Sequence, residues 1–153
     1  MGGDLRAATG KAPTFMVMAA KDPKSGNLDR VQVIKGWLDA KGELHEKVYD
    51  AAWSDGRKPD ARTGKLPPVG NTVDVASATW ANTIGAPELI AAWKDPDFNP
   101  AMRAFYYARV IEIPTPRWTA YDAQRFAIKM DSKVPMTTQE RAYTSPIWYT
   151  PAK

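Results

Sequence analysis

The segment Thr115-Pro116-Arg117-Trp118, followed by Tyr121-Asp122, carries the residue types best suited to binding in this 153-residue chain. Pro114 and Pro116 leave the backbone few options and present an Arg, a Trp and a Tyr at the end of a strand. A guanidinium is the natural partner of a carboxylate, phosphate or sulfate group. Arg117, Trp118, Tyr121 and Asp122 are therefore the candidate ligand-binding residues. The plainer alternative pairs Arg117 with Asp122 and packs Trp118 on the core. Ser145-Pro146-Ile147-Trp148 is a weaker case and reads as a packed terminal strand.

Other chemistry is mostly excluded. With no Cys and one His, the chain has no thiol nucleophile, no Cys-ligated metal and no site built on two imidazoles. A Ser–His–Asp triad would need His45, which sits mid-strand among Glu43, Glu46 and Lys47 and reads as a sheet-surface residue. Gly10-Lys11 and Gly64-Lys65 lack the remainder of a phosphate-binding loop. Asp95-Pro96-Asp97-Phe98-Asn99-Pro100 imitates the start of a calcium loop. Pro100 stands where such a loop needs Gly, and Tyr106 where it needs Glu. That stretch reads as a helix end with Asx and Pro turns. No catalytic residue, metal ligand or cofactor site is assigned to the chain.

The net charge is +4 and the isoelectric point about 9.3, but the bases are scattered among acids. A phosphate-tracking patch is not expected, so nucleic acid is not an expected partner. No run of the roughly 20 apolar residues of a membrane helix occurs. Met1-Gly2-Gly3-Asp4-Leu5 lacks the pattern of a secretory signal. The chain is expected to be soluble, and its compartment stays open.

The elements that must position these residues read mainly as β. Thr14 to Ala20 suits a buried strand. Asp29 to Leu38 places Val31, Val33 and Trp37 on one face, broken by Lys35, with Ile34 and Leu38 on the other. Asp39-Ala40-Lys41-Gly42 closes a hairpin. Glu43 to Trp53 follows, with His45, Lys47, Tyr49 and Trp53 on one face and Leu44, Val48 and Ala52 on the other. Residues 54–70 read as an exposed, Pro- and Gly-rich excursion, and Asn71 to Trp80 as β-rich. Gly85-Ala86-Pro87-Glu88 reads as a helix start, with Leu89, Ile90 and Trp93 as its stripe and Asp95-Pro96 as its end. Arg103 to Ile113 is a long strand, with Phe105, Tyr107 and Ile111 facing one way and Tyr106 and Val110 the other. A loop-like stretch runs on to Arg141, and Tyr143 to Tyr149 closes the chain as a last strand, with Pro146 placing it at an edge or a bend. The expected fold is an antiparallel β-sandwich-like single domain, residues 1–153, with long loops and one short helix; the alternative is α+β.

Several words of this sequence resemble a known family. They are residues 26–37 (Gly26 to Trp37), Val48-Tyr49-Asp50-Ala51-Ala52-Trp53-Ser54, Val69-Gly70-Asn71-Thr72-Val73-Asp74, Asp95-Pro96-Asp97-Phe98, Ala104-Phe105-Tyr106-Tyr107-Ala108-Arg109-Val110, Ile113-Pro114-Thr115-Pro116-Arg117-Trp118 and Ser145-Pro146-Ile147-Trp148. Together they resemble the C-terminal part of the large bacterial proteins grouped as domain of unknown function 3604. The resemblance implies a parent chain whose N-terminal part is similar to the PHP superfamily of metal-dependent phosphoesterases. It implies that a divalent metal belongs to that part and that this chain is a C-terminal fragment packing on it. None of the family's metal-ligand motifs occurs here, so no metal-site residue carries over. The expected partner is that N-terminal catalytic domain, with self-association of the isolated chain if an apolar face is left uncovered. A stand-alone module binding carbohydrate or a small anion is the alternative.

Overall fold

The computed structural model describes residues 2–5 and 11–151. These residues hold ten strands: β1 (Gly3–Leu5), β2 (Thr14–Ala20), β3 (Leu28–Leu38), β4 (Leu44–Trp53), β5 (Glu88–Lys94), β6 (Ala104–Glu112), β7 (Thr115–Pro116), β8 (Thr137–Thr138), β9 (Arg141–Tyr143) and β10 (Ile147–Tyr149). One helix, α1 (Trp118–Phe126), lies between β7 and β8.

The large sheet runs β1-β10-β6-β3-β4, with β9 also paired to β6. Every pairing is antiparallel except β1 with β10. β2 and β5 form a second, two-stranded sheet. Phe15 of β2 and Trp93 of β5 pack on Val33, Ala104, Tyr106 and Tyr149 of the large sheet. Val17, Ala19 and Leu89 pack on Leu28 and Val31. The core thus lies between two sheets, and the fold is mainly β, a sandwich open on one side. Central β3 is buried on both faces: Val31 and Ile34 are fully buried although they point in opposite directions.

Six sequence expectations change. β2, expected to be buried, turns only Phe15, Val17 and Ala19 inward and leaves Met16 and Met18 81% and 70% exposed, because it lies in a two-stranded sheet with one face in solvent. Residues 88–94 form β5, not a helix. Leu89, Ala91 and Trp93 point inward while Glu88, Ile90, Ala92 and Lys94 point outward, so the stripe has period two. A seven-residue apolar run fits either period, and the ladder to β2 decides it. The helix lies instead in the stretch read as loop. Its N-cap is Arg117, without a side-chain cap bond, its first turn has no acid, and its C-cap is Ala127 in a left-handed conformation. The usual cap residues are missing at both ends, and of the common end signals only a base in the last turn, Arg125, is present. Asn71 to Trp80 is a turn, closed by the bridge between Asp74 and Thr79. The Asp74 carboxylate accepts from the Ala76 amide and the Ser77 hydroxyl, which draws the backbone away from a ladder. Tyr143 to Tyr149 divides at Pro146 into β9 and β10, which pair with the same edge of β6. Finally, β4 bulges: Gln32 pairs with Asp50 but Val31 with Ala52. One extra residue reverses the alternation, so Ala52 turns to the core with Leu28 and Val31, and Trp53 leaves the face of His45, Lys47 and Tyr49.

Candidate functional site

β7 and α1 assemble the segment chosen from sequence. β7 is clamped to β8, and the Arg117 amide donates to the Met136 carbonyl (2.9 Å). The helix then begins: the Arg117 carbonyl accepts from the Ala120 amide (2.9 Å), and the Thr119 hydroxyl donates to the Pro135 carbonyl (2.5 Å). Thr119 and Ala120 face inward and are buried. That orientation turns Trp118 and Tyr121, 61% and 44% exposed, towards solvent. Residues three and four apart share a helix face, so Trp118, Tyr121 and Asp122 lie together at its start. The Arg117 guanidinium stands 5.4 Å from the Trp118 ring. Neither part of the plainer alternative is observed: no ion pair joins Arg117 to Asp122 among the described residues, and Trp118 is not core. Phe126 and Ile128, at the far end of α1, are also exposed. The surface is a short aromatic patch with a cation on its ring, suited to a planar or anionic partner.

A second polar cluster escaped the sequence reading. Lys35 and Asp95 are 4% and 2% exposed and pair at 2.7 Å. Lys35 also donates to the Asp97 carbonyl (2.7 Å), and the Tyr106 hydroxyl donates to Asp95 (2.7 Å). Asp95 accepts from the Asp97 amide (2.9 Å), the Asx turn foreseen from the sequence. Nearer the surface, the Asp97 carboxylate accepts from Lys47 (2.5 Å) and Tyr49 (2.7 Å). These two bonds hold its pKa below the usual carboxylate value. Burial first, and the bond to Asp95 second, push the Tyr106 phenol well above its ordinary value; burial and Asp97 do the same to Tyr49. No buried side-chain polar atom here lacks a partner, the mark of a structural latch between the sheets. The one signal in the sequence was Lys35 interrupting an apolar face, with nothing to identify its partner sixty residues on.

A third cluster ties the 54–70 excursion to the sheet. Asp29, 1% exposed, pairs with Arg57 (2.6 Å) and Arg30 (3.1 Å) and accepts from Gln139 (3.2 Å). Arg57 also donates to the Pro67 carbonyl, and Leu66 is buried. The excursion is therefore anchored, while residues 58–65 are exposed as expected.

His45 lies on the sheet surface, stacked on Trp37 (5.3 Å) and bonded to Asp39 (3.0 Å). Asp39, Glu43 and His45 bring their ligand-type atoms within 4.8 Å of one another. The Asp39 carboxylate already accepts from the Lys41 and Glu43 amides, so hairpin closure accounts for the grouping.

The profile of one family, described as "Protein of unknown function (DUF3604)", matches residues 1–151. The chain belongs to this family. No curated protein and no solved structure matches it. The DUF3604 chain keeps its family words in structural places. Asp95-Pro96-Asp97-Phe98 forms the latch, with Phe98 packed edge-on to Tyr149 (5.1 Å). Ile113-Pro114-Thr115-Pro116-Arg117-Trp118 leads from the core to the exposed start of α1. No helix among the described residues is long and apolar enough to cross a membrane.

Proposed function

We propose that this chain is a non-catalytic β domain of a longer polypeptide. It packs on a PHP-like, metal-dependent hydrolase part of phosphoesterase type and borders the substrate mouth with Arg117, Trp118, Tyr121 and Asp122. The observation that carries the reading is the start of α1. A Trp and a Tyr face solvent on a clamped helix end, with a guanidinium over the Trp ring and no acid paired to it among the described residues. Burial of such aromatic surface against a neighbour is favourable, and Arg117 is the residue to meet an anionic substrate there. In this reading the divalent metal and the hydrolytic chemistry belong wholly to the other part.

Mass spectrometry of source-cell extract tests it first, by searching for peptides upstream of Met1 in a product several times larger than 16.9 kDa. In that product, Trp118→Ala and Arg117→Ala should raise KM for a phosphoester while sparing metal content. Phosphoester hydrolysis at enzymic rates by the 153-residue chain alone would overturn the reading.

An aromatic row supports a second reading, a module binding carbohydrate or a small anion. Phe105 stacks beside Tyr107 (6.4 Å, 9° between planes) and packs on Trp148 (5.2 Å). Trp148 and Tyr143 are 51% and 57% exposed. Sugars stack on such rings. Titration with a panel of sugars and organophosphates should then quench Trp fluorescence, and Trp148→Ala should abolish the change. Fluorescence unmoved across the panel would count against this module.

A further inference from the structure

β2 is a free edge. It pairs with β5 on one side, and among the described residues no strand pairs with it on the other. The ends of the ladder show which backbone groups are unused. The Lys21 amide donates to the Pro87 carbonyl (2.9 Å), and the Asp95 amide donates to the Pro13 carbonyl (3.1 Å). Both bonds continue the register that sets Thr14 opposite Lys94 and Ala20 opposite Glu88. Backbone groups alternate between the two sides of a strand. Phe15, Val17 and Ala19 therefore turn theirs to β5, while Thr14, Met16, Met18 and Ala20 hold theirs outward. Across these seven residues there is no charge and no proline, so the usual devices that protect an edge are missing.

This edge borders a groove of about 330 Å³, lined by Phe15, Val17, Tyr106, Ala108, Ile147 and Gly2 among others. Phe15 lies on Tyr106 of β6 (4.7 Å), and beyond β6 the large sheet continues through β10 to β1. The small sheet thus stops short of the Gly2 and Ile147 ends of β1 and β10, which line the groove, while the other end of β10 is covered, with Tyr149 buried against Phe98. A second folded copy does not fit the gap. Antiparallel pairing of β2 with its copy needs a two-fold axis normal to the sheet. That axis puts both large sheets on the same side, where β10 and β1 already project. A lone extended strand meets no such obstacle, and Gly2, at the start of β1, lines the same groove.

We propose that an extended segment of the same polypeptide, preceding residue 1, adds to β2 as the third strand of the small sheet. The segment is about seven residues long, with alternate apolar side chains turned into the groove. This rests on the reading that the chain belongs to a longer polypeptide. It adds the site and the chemistry of the contact.

Amide hydrogen exchange tests it. In the 153-residue chain, the amides of Thr14, Met16, Met18 and Ala20 should exchange fast while those of Phe15, Val17 and Ala19 are slow. In the natural full-length product all seven should be slow, the first four by about a hundredfold or more relative to the short chain. Met16→Pro removes an outward amide only. It should leave the melt of the short chain in place and restore fast exchange at Met18 in the full-length product. Four amides that stay fast in the full-length product overturn the proposal. So does uniform protection in the short chain, or a Met16→Pro variant that unfolds it. Trp118 fluorescence reads domain packing separately: Trp118 shielded while these amides stay fast would sink strand addition and spare the packing. A natural product beginning at Met1 would overturn both.

Discussion

Lys35 shows how one side chain departs from the pattern of its strand for a structural reason. Its ammonium is held by Asp95 and the Asp97 carbonyl, inside a layer where an unpaired charge is costly. Removing one partner strands the other: Asp95→Ala should destabilise the fold by about 3–5 kcal/mol in urea titration, whereas Lys35→Met with Asp95→Leu should cost less, the remainder coming from the Tyr106 hydroxyl and Asp97 amide left without their acceptor. Equal losses in the two variants would show that the pair is not what matters. The same latch sets a pH window. The Tyr49 and Tyr106 phenols are raised above 10.0 in the folded state, so their contribution is complete below pH 10 and is lost as pH rises beyond it. The carboxyl of Asp97 is lowered below 3.8, so its contribution is complete above that pH and is lost in acid. Urea midpoints should be flat between these limits and fall outside them. Tyr106→Phe should lower the plateau but flatten the alkaline fall, and a midpoint insensitive to pH 11 would contradict this assignment.

At the level of elements, α1 separates surface from core within three residues. Trp118 is exposed and Ala120 is fully buried. Trp118→Ala should change stability by no more than ~0.5 kcal/mol, while Ala120→Leu should cost about 1–3 kcal/mol through overpacking. Thermal melts of the two variants decide this, and a large loss from Trp118→Ala would mean that its ring serves the fold. The turn before β5 is equally tight. Gly85 has φ +78°, and a Cβ there would stand 2.7 Å from Asn27 and Ile113. Only glycine fits the backbone that joins Ala86 to Leu28.

Besides the patch on α1, the described residues leave apolar surface in solvent on both sheets. On the small sheet Met16, Met18 and Ile90 are 81%, 70% and 60% exposed; the large sheet exposes Leu44 and Trp148. Such surfaces drive association. Light scattering of the isolated chain should show mass rising with concentration. Met18 lies directly opposite Ile90, so Met18→Lys with Ile90→Glu creates a cross-strand ion pair that keeps the sheet and removes the patch. That variant should scatter closer to a monomer. A wild-type chain that stays monomeric at every concentration would refute the expectation.

Alternation in the sequence marked β3, β4 and β6, because a strand with two unlike faces writes them into every second residue; the apolar run of Thr14 to Ala20 marked β2, but not that Met16 and Met18 would stand in solvent. The sequence also assembled Arg117, Trp118, Tyr121 and Asp122 as one candidate group, since neighbours in sequence at a chain reversal stay neighbours in space. Three things were decided only by tertiary structure. The seven residues of β5 fit two periods, and pairing with β2 selected one. The partners of Lys35 and Asp29 lie dozens of residues away, and burial energetics, not local spacing, chose them. The exposure of Trp118 follows from the side of α1 that Thr119 and Ala120 present to the core, and no cap residue announced that helix.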